Sequence, residues 1–315
     1  MKAWLRELKV ELISTSLKKK FVFGDNWRSG KDDMAITVTG SKYLSSAKDQ
    51  FTVKISNLTY NEICQLIAGQ YYYIKIYAGY RSSSENMLFN GYVIYISNQL
   101  NSDRTSTAII LCGSKLRAKY GQSRMNLNIN SGINMAAALK FIMKRAGVTK
   151  ANIDEDLANR IVKQNMTVKS TSTNWLETFA ATNDMIVNTD STYSNDVTVI
   201  YPYRTNNRVI TLTEKNCVII GDYPQLSSDG LTMTVLPTFN FMPSDVIVVD
   251  NSIIDISTEN VKKLTNANFL DENGKYLITQ LDYNLQNRGT SFSVSITARA
   301  RSLYSSINTL KGQTA

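Results

Sequence analysis

The sequence predicts a β-rich α+β protein in which two β-domains, of barrel or sandwich type, flank a small α+β module. Three observations carry this expectation. Period-2 alternation of apolar and polar residues recurs near both ends of the 315-residue chain. Helical periodicity is strongest in the middle. An apolar content of 43% with 19% charged residues suits folded domains with real cores.

The first β-domain spans 1–117. Leu8, Val10 and Leu12 alternate with Lys9 and Glu11, which predicts a strand over 2–14. Phe21, Val22 and Phe23 continue after the run Lys18, Lys19, Lys20. Residues 34–39 read as a strand by their β-branched content, 40–50 as a long polar loop, and 51–56 as a strand again. Thr59 with Glu62 three residues on is a capping box, opening a short helix through Ile67. Residues 71–80 form a strand with Tyr71, Tyr73, Lys75 and Tyr77 on one face and Ile74, Ile76 and Ala78 on the other. Strands at 87–97 and 105–112 follow, joined by a polar turn. This order suits a compact barrel or sandwich.

The middle module spans 118–200. Its clearest helix is 130–147, with Ile133, Leu139 and Met143 in period, Lys144 and Arg145 favouring the C-terminal dipole, and Gly147 as the stop. Thr173 caps a second helix that buries Trp175, Leu176 and Phe179, and 185–190 with 196–201 read as a hairpin. The second β-domain spans 201–303. Strands are expected at 208–213, 217–223, 231–237, 246–250, 276–284 and 290–300. Gly289 and the segment 270–275 mark turns, Gly289 supplying a left-handed position between the last two strands. Residues 257–267 read as a short helix or an ordered insertion. The tail 304–315 carries no core signal.

Composition narrows the chemistry. Histidine is absent, so His-based triads and the commonest metal ligand are excluded. Cys64, Cys112 and Cys217 are far apart in apolar runs, without a CxxC pair, and read as buried thiols. Asp32 with Asp33, and Asp154 to Asp156, sit in polar contexts that would not separate two carboxylate pKa values, so no catalytic, metal-binding or cofactor-binding residue is assigned. No apolar run is long enough for a membrane helix, and the N-terminus lacks a signal-like apolar segment, which predicts synthesis in a cytoplasm without membrane insertion. The net charge of +9 is concentrated early: residues 1–120 hold 17 Lys/Arg against 9 Asp/Glu. That excess reads either as a solvated face or as a polyanion surface.

A resemblance joins these pieces. In the run 221–249, Gly221, Pro224, Gly230, Val235, Leu236, Pro243 and Asp245 punctuate two strands as in phage tail hub proteins. Ser244 stands where those proteins have glycine. Residues 276–300 resemble their closing hairpin, with Asn284 in place of a frequent histidine and Phe292 in place of a tryptophan. Residues 51–80 with 87–97 resemble the first domain of these hubs and of their gene-D-like relatives, and Thr173 to Leu176 resemble the helix of the middle module.

The resemblance implies a virion protein of a Mu-like or T-even-like baseplate. It implies a homotrimer in which each chain gives two tube-forming β-domains. The resulting pseudo-sixfold ring would join the tail tube protein to the central spike protein, in contact with other baseplate proteins and the tape measure protein. The genome would transit its channel without specific binding. On this reading Tyr71, Tyr73 and Tyr77, and Phe292, Val294 and Ile296, mark candidate inter-subunit strands. Lys42, Tyr43 and Lys48 mark a candidate inter-ring loop. Two other classes compete. A receptor- or glycan-binding β-sandwich would use the tyrosine-rich strand and Trp175 as an exposed aromatic face. A tail-associated hydrolase would use the acidic pairs.

Overall fold

The computed structural model describes residues 6–14, 18–24, 34–44, 48–69, 73–80, 86–101, 106–114, 124–145, 151–153, 157, 159–171, 178–179, 183, 185–188, 197–200, 208–213, 219–227, 230–255, 271 and 273–301. The architecture is β-rich α+β, as the alternation predicts.

The first region contributes β1 (Arg6–Ser14), β2 (Lys19–Phe23), β3 (Ile36–Tyr43), β4 (Gln50–Leu58), α1 (Tyr60–Ala68), β5 (Tyr73–Tyr80), β6 (Asn86–Leu100) and β7 (Ser106–Gly113). The middle contributes β8 (Arg124–Ile129), α2 (Met135–Arg145), β9 (Ala151–Ile153), β10 (Met166–Thr171), β11 (Ile186–Asn188) and β12 (Val197–Ile200). The last region contributes β13 (Val209–Thr211), β14 (Gln225–Ser227), β15 (Gly230–Val235), β16 (Val246–Val248), β17 (Lys275–Gln286) and β18 (Phe292–Ala300).

One 13-stranded sheet joins the first and last regions in the order β14-β15-β18-β17-β3-β4-β7-β6-β5-β1-β2, with β16 bridging β13 and β17. The β3–β17 pair is antiparallel. β17 divides its length: Lys275 to Leu277 pair with β16, and Gln280 to Gln286 pair with β3. The ladder between β17 and β18 shifts register between Ile278 and Gln280. Such a bulge re-aims a strand, and here it falls where β17 passes from one neighbour to the next.

Among the described residues two separate cores form. The larger gathers residues from Leu8 to Ala300 beneath the main sheet, including Phe51, Ile76, Tyr276 and Ile296. The smaller collects Ile129, Leu139, Ile142, Phe179 and Val187 of the middle module. In that module β8 pairs with β10, and β11 and β12 form the expected antiparallel pair, with β9 parallel to β12.

The capping box is present as read: the Glu62 amide donates to the Thr59 hydroxyl at 3.3 Å, and the Thr59 amide donates to the Glu62 carboxylate at 2.7 Å. Other local expectations change. The polar loop expected over 40–50 is shorter, because β3 runs on to Tyr43. Gly40 reads as a breaker in sequence, yet it sits opposite Phe51, whose ring occupies the space a Cβ would need, 2.6 Å away. Of the strand expected at 217–223, the described residues 219–223 hold one bridge, Ile219 to Val235, and Gly221 turns the chain at φ +80°. Gly289 is not left-handed, whereas Gly274 in the 270–275 turn is, at φ +63°. Cys64 is exposed on α1, not buried, whereas Cys112 is buried and its thiol pKa is pushed up by burial. Cys217, Trp175, the acidic pairs at 32–33 and 154–156, the helix start at 173, Gly147, the segment 257–267 and the tail 304–315 lie outside the described residues.

Candidate functional site

The seam between β3 and β17 is where the two ends of the chain become one sheet. The strands pair over seven register positions, from Gln280 opposite Tyr43 to Gln286 opposite Thr37. Under the seam, the Phe51 ring lies 4.5 Å from that of Phe89 and 5.4 Å from that of Tyr283, while Tyr80 meets Phe292 edge-on at 5.3 Å. Such aromatic pairs add about 0.5–1.5 kcal/mol each beyond their area burial.

Two polar groups close one end of the seam. Asn287 accepts from the Ile36 amide at 2.8 Å and donates its side-chain amide to the Met34 carbonyl at 3.1 Å. Its backbone amide donates to Ile36 at 3.2 Å. Arg6 donates to the Gly289 and Thr290 carbonyls at 2.7 and 3.2 Å, and its guanidinium lies 5.4 Å from the Phe292 ring centre. The sequence marks Asn287 only as turn chemistry and gives Arg6 no role. Their bonds span about 250 residues or more in sequence, so local pattern carries no trace of them.

A latch holds the other end. Asp245, 4% exposed, receives both nitrogens of the Arg208 fork, with Nε at 2.9 Å, and the Met242 amide at 2.7 Å. Arg208 also donates to the Asn240 carbonyl at 2.7 Å. The Ser244 amide donates to Ile278 and the Ile278 amide donates to Asp245, which stitches the 242–245 turn onto β17. Ser244 stands at φ +81°, so this turn keeps the glycine-type backbone although the residue is serine. Beside it Lys42 is only 4% exposed, its Nζ 3.9 Å from the Met242 sulfur.

The opposite face of the sheet is polar where β15, β18, β17, β3 and β4 cross, with Lys54 and Arg299 exposed on the same face in the adjoining rows. Cross-strand pairing aligns its residues in rows. One row runs Thr234, Ser295, Asp282, Ser41, Gln50; the next runs Ser293, Asn284, Thr39, Thr52; a third runs Thr232, Thr297, Gln280, Tyr43. The single charged residue in these rows is Asp282, and its carboxylate takes hydrogen bonds from the Ser41 hydroxyl and, at 2.8 and 3.0 Å, from the Gln280 amide. Two open grooves indent this face. One, of about 570 Å³, lies over β3 and β4 between Thr39 and Lys48; the other, of about 620 Å³, lies over β15 and β18 beside Tyr223.

The residues singled out by sequence fall in different places. Tyr73 and Tyr77 lie on β5, which is bonded to β1 on one side and β6 on the other. Tyr73 packs on Tyr92, their hydroxyls 3.1 Å apart, and the Lys9 ammonium lies 4.6 Å from the Tyr77 ring. They are engaged within the sheet and do not form the open aromatic platform of the glycan-binding reading. Phe292, Val294 and Ile296 point into the core from β18, which is flanked by β15 and β17. Each of these strands is flanked on both sides by strands of the same chain over most of its length. The path instead ends at β2 and at β14. Tyr43 and Lys48 border the groove at the β3–β4 end of the polar face, while Lys42 is turned inward. Tyr71 lies outside the described residues.

Among the described residues no group of three or more His, Cys, Asp or Glu is placed to hold a metal ion, and no helix is long and apolar enough to cross a membrane.

Neither a family model nor a curated protein matches this sequence. Solved structures do. The chain matches the 43 kDa tail protein of prophage MuSo2 from Shewanella oneidensis with a TM-score of 0.56 and 10% identity, covering 95% of this chain and 98% of that one. It matches a tail protein from Neisseria meningitidis MC58 with a TM-score of 0.56 and 9% identity, covering 93% and 96%. A chain of the Francisella PdpA-VgrG complex follows with a TM-score of 0.54 and 7% identity, covering 94% of this chain and 53% of that one. The fold is that of phage tail proteins, as the sequence resemblance implies.

Proposed function

We propose that this chain is a structural hub subunit of a phage tail baseplate. The observation that carries the reading is the β3–β17 seam, which fuses the two β-regions into one sheet. The full-length likeness to two tail proteins supports it. Three such chains form a homotrimeric ring with six β-domains, joining a sixfold tail tube to a threefold spike and leaving a channel for DNA ejection. The likeness to a chain of a VgrG complex supports a place beside a spike. Other baseplate proteins and the tape measure protein are further neighbours in the virion, and the chain has no enzymatic role.

The units are 1–117, 118–200 and 201–303, with 304–315 as a tail; the two separate cores agree with setting the middle unit apart. Copies join through the ends of the sheet path near β2 and β14, since exposed edges favour strand addition and threefold closure leaves none open. Tyr43 and Lys48 lie at the rim, where the next ring would touch.

Mass measurement of the purified protein, alone and with its tube and spike partners, tests this. A trimer, or trimerisation on adding the spike, is expected. A monomer indifferent to both partners would overturn the reading.

A further inference from the structure

We propose that the outer side of α2 is a docking surface for an acidic amphipathic helix of a partner protein. α2 belongs to the smaller core, so this surface is separate from the main sheet and does not depend on the hub reading.

Three features of the middle module carry it. First, α2 is apolar on two sides. Met135, Ala138, Leu139, Ile142 and Met143 are buried in its own core. Ala137 and Phe141, one turn apart, face solvent, and Ile133 just before the helix continues the line. Phe141 is 44% exposed and Ile133 39%. Ile161, also exposed, adjoins them through its bridge to Asn134. A surface helix ordinarily carries charged and polar residues on that side, and exposed apolar side chains gathered in one place mark contact sites.

Second, the stripe is flanked by cations alone. The helical step puts Lys140 and Lys144 on one side of Phe141 and Arg145 on the other. The Arg145 guanidinium lies 5.6 Å from the Phe141 ring centre. None of the 11 residues of α2 is acidic, so no Glu–Lys pair forms along it. The described residues from Arg124 to Thr171 hold seven Lys and Arg and neither Asp nor Glu. Third, Ala137 is small. It leaves a hollow between Ile133 and Phe141 that accepts a side chain of a second helix, as ridges-into-grooves packing needs.

These features select the occupant. A helix with an apolar stripe flanked by Asp and Glu meets Phe141 and Ile133 with the stripe and the cations with its carboxylates. Charge complementarity then fixes its orientation and speeds encounter. A second copy of this chain would bring the same cations and be repelled. Duplex DNA matches the charge but offers no apolar partner to Phe141 and Ile133. A lipid surface gains little from a stripe whose centre is alanine.

The full-length protein is titrated with a labelled synthetic helix of about 20 residues, leucines along one side and glutamates on the other. Binding is expected, and it should weaken as salt screens the charge pairs. Phe141→Ala should reduce it about five-fold, the worth of the part of the ring still exposed. Ala137→Gln keeps a good helix former but fills the hollow, and should reduce binding as well. Lys140→Glu combined with Lys144→Glu should abolish it and confer binding of a companion peptide with lysines in place of the glutamates. Gln65→Glu on the exposed side of α1 is the control and should bind as the parent does. All these positions are exposed, so none of the changes reaches a core. No binding by the parent would overturn the proposal, as would a charge-reversed variant that keeps the parent's preference. Equal or tighter binding of an acidic peptide without leucines, of duplex DNA or of phosphatidylglycerol vesicles would overturn it too. Each of these results leaves the hub reading to its own test, the mass of the assembled protein.

Discussion

At the residue scale, the turn at 242–245 shows a backbone demand outlasting the residue that normally meets it. Ser244 holds φ +81°, a region where a Cβ is strained. Ser244→Gly should therefore stabilise the protein by about 1 kcal/mol, the strain relieved outweighing the entropy glycine adds to the unfolded chain. A thermal unfolding series reads this as a higher midpoint; a lower one would show that the Ser244 side chain contributes more than its backbone costs. Tyr276 gives a pH dependence. Burial is the main cause that raises its phenol above the ordinary value of 10.0, and its hydroxyl donates to Asn251 at 3.0 Å. The folded pKa is above the unfolded one, so this contribution is complete below pH 10 and is lost as pH rises through the folded value. Alkaline unfolding should be shallower in Tyr276→Phe, whose stability at neutral pH falls by about 1 kcal/mol for the lost hydrogen bond.

At the scale of elements, Asn287 ties the β17–β18 turn to the start of β3. Asn287→Ala removes two side-chain bonds to Met34 and Ile36 and should cost about 1–3 kcal/mol, read by denaturant midpoint at unchanged slope. Much of the element map was legible before the structure. Alternation located β1, β4, β5, β17 and β18, and the Thr59–Glu62 pair located α1, because both signals are local. What escaped was non-local or masked by small residues. Gly40 and Ser41 look like loop, but Gly40 is required by the Phe51 ring, which comes from the next strand. β14 spans three residues and gains its pairing from β15 and from a bridge to Asp255, thirty residues on. The Arg208–Asp245 latch joins residues 37 apart, and a family pattern marked only one member of it. The interior position of β5 depends on β1, which precedes it by some sixty residues.

At the scale of the whole molecule, two cores imply two stabilities. Leu139 is fully buried in the smaller one. Leu139→Ala should cost the middle module about 2–5 kcal/mol and lower its transition while leaving that of the main sheet in place. Hydrogen exchange resolved by segment measures this: faster exchange confined to α2, β8 and β10 is expected, and uniform acceleration would mean that the two cores unfold as one.

The β3–β17 ladder also has a mechanical side. Its bonds run across the strands, so a pull along the strands strains all seven paired positions together. A pull across them would open the positions one after another. The seam is therefore stiff in shear and compliant in peeling, and a tail that transmits force through this subunit gains strength by directing the load lengthwise along β17.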